Sequence, residues 1–109
     1  MIGIDIVHVG RIERLCGRYD QRFLRKVFTE EEIAYATKKR RRFECLAGMF
    51  ALKEAFMKAK TRRIPFREIE IRHRHGKPYI SFKGRTFFQV SVSHERDMAA
   101  AVVVVGEKG

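Results

Sequence analysis

Glu54 and Lys58 are residues whose types and spacing could do chemistry. They lie four residues apart in a segment with helical periodicity, so they share one helix face. That face continues the apolar stripe of the same segment, formed by Phe43, Leu46 and Phe50. A carboxylate and an ammonium that extend an apolar stripe must be paired, solvated in a cleft or bound to a ligand. An ordinary surface ion pair between them would also satisfy the pattern.

Three other places carry groups that could bind a metal or a phosphorylated ligand. Asp5 lies near the end of a predicted strand, His94 follows another, and Gly76-Lys77-Pro78 forms part of a turn. Each has an ordinary explanation as well: an acid paired with an arginine, a loop histidine and a hairpin turn. Taken singly, none of these features is specific for a function.

The elements that must position these residues follow from hydrophobic periodicity. The spacing predicts helices over residues 11–19, about 29–37 and 43–60, with an irregular or helical turn over 22–28. Alternation predicts strands over 1–7, 68–72, 79–82, 88–93 and 98–105. A strand, then several helices with one long central helix, then strands is typical of an α+β fold with a mostly antiparallel sheet.

Two local signals sharpen this outline. Thr29-Glu30-Glu31-Glu32 is a capping box, which predicts a helix start at Thr29. The unbroken apolar run from Met98 to Val105 predicts a strand that is buried on both faces.

Size and composition narrow the class of protein. We expect the 109 residues, 1–109, to form one domain. No apolar run approaches the ~20 residues of a membrane span, and the N-terminal stretch lacks the basic region of a signal peptide. We therefore expect a cytoplasmic protein that does not enter a membrane.

The charge balance indicates the class of partner. Lys and Arg total 24 against 13 acids, which gives a net charge of +11. Such a chain attracts polyanions, so the candidates are nucleic acid, acidic proteins and phosphorylated small molecules.

Taken together and in order, the motifs are specific, and the chain resembles the holo-acyl-carrier-protein synthase family, the small bacterial type of phosphopantetheinyl transferase. The resemblance runs nearly end to end. The matching blocks are Gly3-Ile4-Asp5-Ile6-Val7 with Arg11-Ile12, Phe28-Thr29-Glu30-Glu31-Glu32, the signature from Leu46 to Ala59, Gly76-Lys77-Pro78, and Val90-Ser91-Val92-Ser93-His94.

The resemblance implies a reaction and a metal. The family transfers the 4′-phosphopantetheine arm of coenzyme A to a serine of apo acyl carrier protein, which supports fatty acid biosynthesis and releases 3′,5′-ADP. Asp5 and Glu54 would hold Mg²⁺ together with the pyrophosphate of coenzyme A, as suits an ion that prefers oxygen ligands. Lys58 would lie by the same phosphates or assist proton transfer.

The resemblance also implies binding residues and an assembly. Lys53, His94 and the Gly76-Lys77-Pro78 turn would help to bind coenzyme A. Basic residues would dock the acidic carrier protein, with Arg11 and Arg22 matching the family positions and Arg18, Arg25 or Lys26 adding to the patch. The family forms homotrimers with active sites at subunit interfaces, where the metal carboxylates come from one subunit and the turn from its neighbour.

The chain departs from the family pattern at three places. Met49 stands where the family usually has Arg, His8 replaces a usual Glu, and residues 60–64 replace a more glycine-rich loop. The basic run 38–42, or Arg62 and Arg63, could compensate for the missing Arg. Met49 and His8 leave open the alternative of a non-catalytic relative. The net charge of +11 and the basic run 38–42 leave open a small basic nucleic-acid-binding protein.

Overall fold

The computed structural model describes residues 1–19 and 21–106. It confirms the α+β class, with a strand, four helices and then five strands in this part of the chain. The elements are β1 (Ile2–His8), α1 (Val9–Tyr19), α2 (Gln21–Val27), α3 (Glu30–Thr37), α4 (Arg42–Lys60), a short 3₁₀ turn (Phe66–Glu68), β2 (Glu70–Arg74), β3 (Lys77–Phe82), β4 (Arg85–Phe87), β5 (Val90–Glu95) and β6 (Met98–Val104).

The strands form two antiparallel sheets rather than one. The first has the order β1-β6-β5 and the second the order β2-β3-β4, and each has three strands. Strand β4 was not predicted, because the turn before it, Lys83-Gly84, was not recognised. Both of its residues have positive φ, as a tight hairpin turn of the primed type requires. The same holds for His75-Gly76, so Lys77 and Pro78 begin strand β3 instead of forming the turn.

Helix α4 packs across the first sheet at very short range. An added Cβ on Gly3 would lie 1.9 Å from the carbonyl oxygen of Ala55 and 2.7 Å from the nitrogen of Ala59, so β1 rests directly on the helix backbone. Nearer the start of the helix, Gly48 lies under Val92 and His94 of β5. The helix therefore runs obliquely over the sheet, with its first half over β5 and its second half over β1.

The two faces of β1 differ sharply in exposure. Gly3, Asp5 and Val7 face the helix, while Ile2, Ile4 and Ile6 point away from it and are 63%, 57% and 59% exposed. The alternation of isoleucines correctly predicts the strand and places Asp5 on the other face. In this chain by itself the isoleucine face is uncovered.

Strand β6 lies between β1 and β5 and is covered on one face. Ala99, Ala101 and Val103 are buried under α4, whereas Val102 is half-buried and Val104 is 39% exposed. The prediction of a strand buried on both faces is therefore wrong for a single chain. Among the described residues, no helix is long and apolar enough to cross a membrane.

Candidate active site

Asp5 and Lys58 form one half of the candidate site. The close contact of β1 with α4 brings Asp5 beside the last turns of the helix. There the Lys58 ammonium donates to Asp5 Oδ1 at 3.1 Å and to the carbonyl oxygen of Ile4 at 3.0 Å. The Asp5 side chain is only 15% exposed, against 55% for Lys58. The carboxylate thus lies at the edge of the core with its charge balanced by a lysine that also binds the strand.

Glu54 and Arg63 form the other half. Helix α4 ends where Thr61 adopts a left-handed conformation, with φ 54°, and the N–H of Arg62 donates to the carbonyl oxygen of Met57 at 3.2 Å. This reversal returns the chain along the helix, so that Arg63 Nη1 donates to Glu54 Oε2 at 3.3 Å. The Glu54 side chain is 19% exposed and that of Arg63 is 73% exposed. The sequence offers Arg63 only as a substitute for the missing family arginine, and no local motif indicates its contact with Glu54.

The donor set suits a magnesium ion with few protein ligands. Asp5 and Glu54 are mostly buried carboxylates. Asp5 pairs with Lys58 of α4, and Glu54 lies one turn before Lys58 on the same helix. Residues 1–19 and 21–106 contain no group of three or more His, Cys, Asp or Glu that could hold a metal. Mg²⁺ in phosphoryl-transfer sites is usually bound by one or two carboxylates plus waters and substrate phosphates, so two protein ligands fit this ion.

A separate cleft of about 440 Å³ lies at the other end of α4. His94 Nε2 donates to the carbonyl oxygen of Glu44 at 3.0 Å, which holds the imidazole against the helix. A Cβ on Gly48 would come within 3.3 Å of the same ring, so a glycine keeps this wall open. The lining comes from α3, α4, β5 and the β2–β3 hairpin, and it includes Tyr35, Lys39, Arg40, Arg41, Glu44, Met49, His73, Gly76, Pro78 and His94.

The cleft combines cations with an aromatic wall. Lys39, Arg40 and Arg41 from the predicted basic run line it, together with Met49, which is 2% exposed. Tyr35 and His73 stack with ring centroids 3.8 Å apart, and the Lys39 ammonium lies 4.6 Å from the Tyr35 centroid. Burial, and then the positive charge of Lys39, lowers the pKa of His73, so this imidazole is neutral at pH 7.

Lys53 does not lie in either part of the site, and its predicted contact with coenzyme A is wrong. Its side chain is fully buried, and its ammonium donates to Glu32 Oε1 at 2.7 Å, to the Val27 carbonyl at 2.7 Å and to the Phe66 carbonyl at 3.0 Å. All three N–H groups are thereby used. Glu32 also closes the predicted capping box with Thr29, so the pair joins α3, α4 and the loops beside them.

Two other sequence-predicted positions lie away from the site that they were expected to affect. Lys77 is exposed in β3 and does not line the cleft, although its neighbours Gly76 and Pro78 do. His8 projects from the isoleucine face of β1, with Nδ1 3.9 Å from Asp97 Oδ2 at the surface. The usual family Glu is thus replaced at a position that does not face Asp5.

Helix α1 carries a basic groove. The groove is lined by Arg11, Arg14, Leu15 and Arg18. Their i, i+3, i+4, i+7 spacing places them on one face of the helix, and this pattern is visible in the sequence. The Arg11 guanidinium lies 5.9 Å from the ring centroid of Phe50, one helical turn before Glu54. Arg22 and Lys26, also predicted to dock a carrier protein, are exposed on α2 and do not line this groove.

Comparison with known proteins assigns the family. Residues 1–104 match the model of the 4′-phosphopantetheinyl transferase superfamily. The chain belongs to this superfamily. Its relatives include the holo-[acyl-carrier-protein] synthase of Halothermothrix orenii, which is 43% identical over 122 residues that cover 99% of this chain and 97% of the relative.

Solved structures of the superfamily share the fold. Helicobacter pylori holo-[acyl-carrier-protein] synthase in complex with coenzyme A matches with a TM-score of 0.87 and 34% identity, covering 97% of this chain and 100% of that one. The Bacillus anthracis enzyme in complex with CoA (3′,5′-ADP) matches with a TM-score of 0.78 and 34% identity, covering 94% and 91%. The expected enzyme class, a holo-[acyl-carrier-protein] synthase, is confirmed.

Proposed function

We propose that the protein transfers 4′-phosphopantetheine from coenzyme A to a serine of an apo acyl carrier protein, in a Mg²⁺-dependent reaction that releases 3′,5′-ADP. The observation that carries this proposal is the ion pair of Asp5 on β1 with Lys58 on α4, one helical turn after the mostly buried Glu54. Relatives with the same fold bind coenzyme A, which supports the choice of donor. Bound at the two carboxylates, Mg²⁺ would supply positive charge to the pyrophosphate from which the arm departs.

The protein's own residues have distinct tasks in this reaction. Asp5 and Glu54 would supply the oxygen ligands, because both carboxylates are mostly buried and lie on two elements, β1 and α4, that pack closely together. Lys58 stays near the reacting phosphates, since its ammonium is tied to both Asp5 and the β1 backbone. The serine nucleophile belongs to the carrier protein, so this chain needs no nucleophile of its own.

We assign the nucleotide end of coenzyme A to the cleft at the start of α4. Its supports are the three cations Lys39, Arg40 and Arg41, which complement phosphate charge, and His94 at its wall. Met49, in this cleft, stands where the family usually has an arginine. Residues of the basic run 38–42 line the same cleft and retain positive charge there. Arg62 and Arg63 are not among the lining residues, so the basic run is the better candidate for compensation.

We assign carrier docking to the basic groove of α1. Acyl carrier proteins are acidic, and the groove presents Arg11, Arg14 and Arg18 around the apolar Leu15. Arg11 contacts Phe50, which lies one turn before Glu54 on α4, and this supports docking of the serine on the side of the carboxylates. Charges at the rim of such an interface act mainly on association rate and salt dependence.

We propose a homotrimer with active sites shared between subunits. The exposed face of Ile2, Ile4 and Ile6 is continuous with Val104 and Val102 across the β1–β6 ladder. Such a patch is unusual on an antiparallel sheet face that meets water. Asp5 and Glu54 are not among the residues that line the cleft, which supports a site completed by a neighbouring subunit.

The two alternatives are less well supported. Asp5, Glu54 and Lys58 are all present, and Asp5 contacts Lys58, which argues against a non-catalytic relative. Six basic residues line a cleft and a groove that suit the two substrates, which gives part of the positive charge a role that does not involve nucleic acid. Location in the cytoplasm and organisation as one domain over residues 1–109 stay predictions.

The deciding experiment is an intact-mass assay of an apo acyl carrier protein incubated with this protein, coenzyme A and Mg²⁺. We expect the carrier to gain the mass of one phosphopantetheine, and Glu54→Gln to reduce the rate by about 100-fold or more, the cost typical of losing a key electrostatic group. The matched control is Glu95→Gln, because Glu95 is 86% exposed. An unmodified carrier, or equal rates for the two variants, would refute the proposal.

A further inference from the structure

The two carboxylates of the site are balanced by different kinds of cation. Lys58, which pairs with Asp5, lies on the helix and is also bound to the Ile4 carbonyl, so it is anchored twice. Arg63, which pairs with Glu54, comes from the loop after α4 and makes its one recorded hydrogen bond to that carboxylate. Its side chain is 73% exposed, so only its tip is engaged with the site.

The position of Arg63 conflicts with a metal ligand role for Glu54. Its Nη1 lies 3.3 Å from Glu54 Oε2, where it occupies one side of the carboxylate with a positive charge. A divalent cation bound to Glu54 would be repelled by this guanidinium and would compete with it for the oxygen lone pairs. The guanidinium and a divalent cation therefore compete for this carboxylate.

Arg63 is the cation that can withdraw at small cost. It is exposed and lies in a loop, and an exposed ion pair of this kind contributes little to stability. In the same conformation its guanidinium lies 5.9 Å from the ring centroid of Phe66, so this ring would still attract the charge once the contact with Glu54 is lost. Lys58, with its second anchor on the β1 backbone, has no comparable freedom.

We propose that Arg63 is an exchangeable counter-ion of Glu54, which occupies the place of the divalent cation in the metal-free protein and leaves when the cation binds. This proposal rests on the proposed Mg²⁺ dependence of the transfer. It gives the loop of residues 60–64 a role in setting the metal affinity, and so the metal concentration at which the enzyme becomes active.

The neighbouring arginine provides a matched control. Arg62 carries the same charge, but its guanidinium lies 5.6 Å from the ring centroid of Phe82, and the structure records no ion pair between Arg62 and the described carboxylates. Replacing either arginine by glutamine lowers the net charge equally. Only Arg63→Gln removes the competitor at Glu54.

The test is a titration of the metal-free protein with Mn²⁺ as the probe, in which the electron paramagnetic resonance signal of free Mn²⁺ gives the dissociation constant. We expect Arg63→Gln to bind about two- to fivefold more tightly than the wild type, the range that the strength of an exposed ion pair allows. Arg63→Lys and Arg62→Gln should stay near the wild-type value, and Glu54→Gln should lose the site.

Each result decides the proposal. Equal effects of Arg63→Gln and Arg62→Gln would indicate a general charge effect and overturn it, as would weaker binding by Arg63→Gln. A wild-type protein that binds no Mn²⁺ would also overturn it. The transferase activity is judged separately by the mass assay, so failure of this proposal and failure of the proposed function are distinguishable.

Discussion

Gly3 of β1 touches the backbone of Ala55 in α4, since a Cβ on Gly3 would lie 1.9 Å from the Ala55 carbonyl oxygen. No rotation of a side chain relieves an overlap between a Cβ and a backbone atom, so only glycine permits this contact. Because Asp5 follows two residues later on the same face of β1, the contact also determines how close that carboxylate lies to the helix.

Gly3→Ala should therefore destabilise the protein and displace Asp5. We expect a loss of about 3 kcal/mol in the free energy of unfolding, at the upper end for overpacking, measured by urea denaturation. Gly17→Ala is the control, because nothing lies within 4 Å of a Cβ at this position in α1, and it should stabilise the helix by about 0.5–1 kcal/mol. Equal effects of the two substitutions would contradict the packing described here.

Lys53→Met tests whether this lysine serves the fold or the ligand. The substitution leaves the buried Glu32 carboxylate without its cation, so we expect a loss of about 3–5 kcal/mol in unfolding free energy. Lys53→Met combined with Glu32→Gln should recover part of that loss, because the carboxylate charge is then removed as well. The KM of Lys53→Met for coenzyme A, measured at a temperature where the variant is folded, should equal that of the wild type. A raised KM with unchanged stability would instead indicate that Lys53 binds coenzyme A.

His73 should make the protein less stable in mild acid. Burial, and then Lys39, lowers the pKa of His73 from its ordinary value of 6.5, so below that pH the unfolded chain binds a proton that the folded chain does not. The other charged or titratable groups that line the two cavities beside it are Glu31, Tyr35, Arg40, Arg41, Glu44, Cys45, Glu70, Arg72 and His94. The contribution of neutral His73 to the free energy of unfolding is fully present above pH 6.5, and it is lost as the pH falls from 6.5 towards the lowered pKa.

The measurement is the urea midpoint of the wild type and of His73→Gln between pH 7.5 and 5. We expect the variant to show a smaller decline than the wild type over this range. His75→Asn, at an exposed turn position where asparagine tolerates the positive φ, should decline like the wild type. Parallel curves for all three proteins would show that His73 does not contribute this acid sensitivity.

Carrier docking should depend on the α1 groove more than on α2. We expect Arg14→Ala and Arg18→Ala each to raise the KM for the carrier protein by about two- to fivefold at low ionic strength, with little change in the KM for coenzyme A. At 1 M salt the Debye length falls to about 3 Å and the difference should vanish. Arg22→Ala should have a smaller effect, and Arg67→Ala, on the 3₁₀ turn, should have none.

The residues that the sequence predicted best are those whose roles depend on local spacing. The capping box at Thr29, the long helix and the Asp5 face of β1 follow from patterns of two to four residues. Arg63 could not be predicted, because its contact with Glu54 depends on the reversal at Thr61 rather than on any motif. Lys53 was misassigned because its place in the signature says nothing about burial.

Hydrophobic periodicity likewise gives no information on whether another chain covers a strand face. The alternation in β1 predicts that Ile2, Ile4 and Ile6 share a face, but in the chain alone this face meets water. The same applies to β6, where Val102 and Val104 lie on that side. A pattern indicates that a surface is apolar, whereas what covers it depends on the assembly.

Ile4→Lys tests the proposed trimer at the centre of this surface. Ile4 is 57% exposed and pairs with Val102, between Ile2 and Ile6 along the strand. A lysine at this position would keep the strand folded, since the side chain points away from α4, but it would place a charge in a desolvated apolar interface. We expect light scattering to show a shift from trimer to the monomer mass of 12.8 kDa, with far-UV circular dichroism unchanged.

The same variant should lose transfer activity although Asp5, Glu54 and Lys58 are intact, because the cleft of the neighbouring subunit would no longer face them. Ala34→Lys, at an exposed position on α3, should remain trimeric and active and so controls for the added charge. An Ile4→Lys monomer with full activity would show that each chain holds a complete site. A trimer that persists in Ile4→Lys would show that the subunits meet on a different surface.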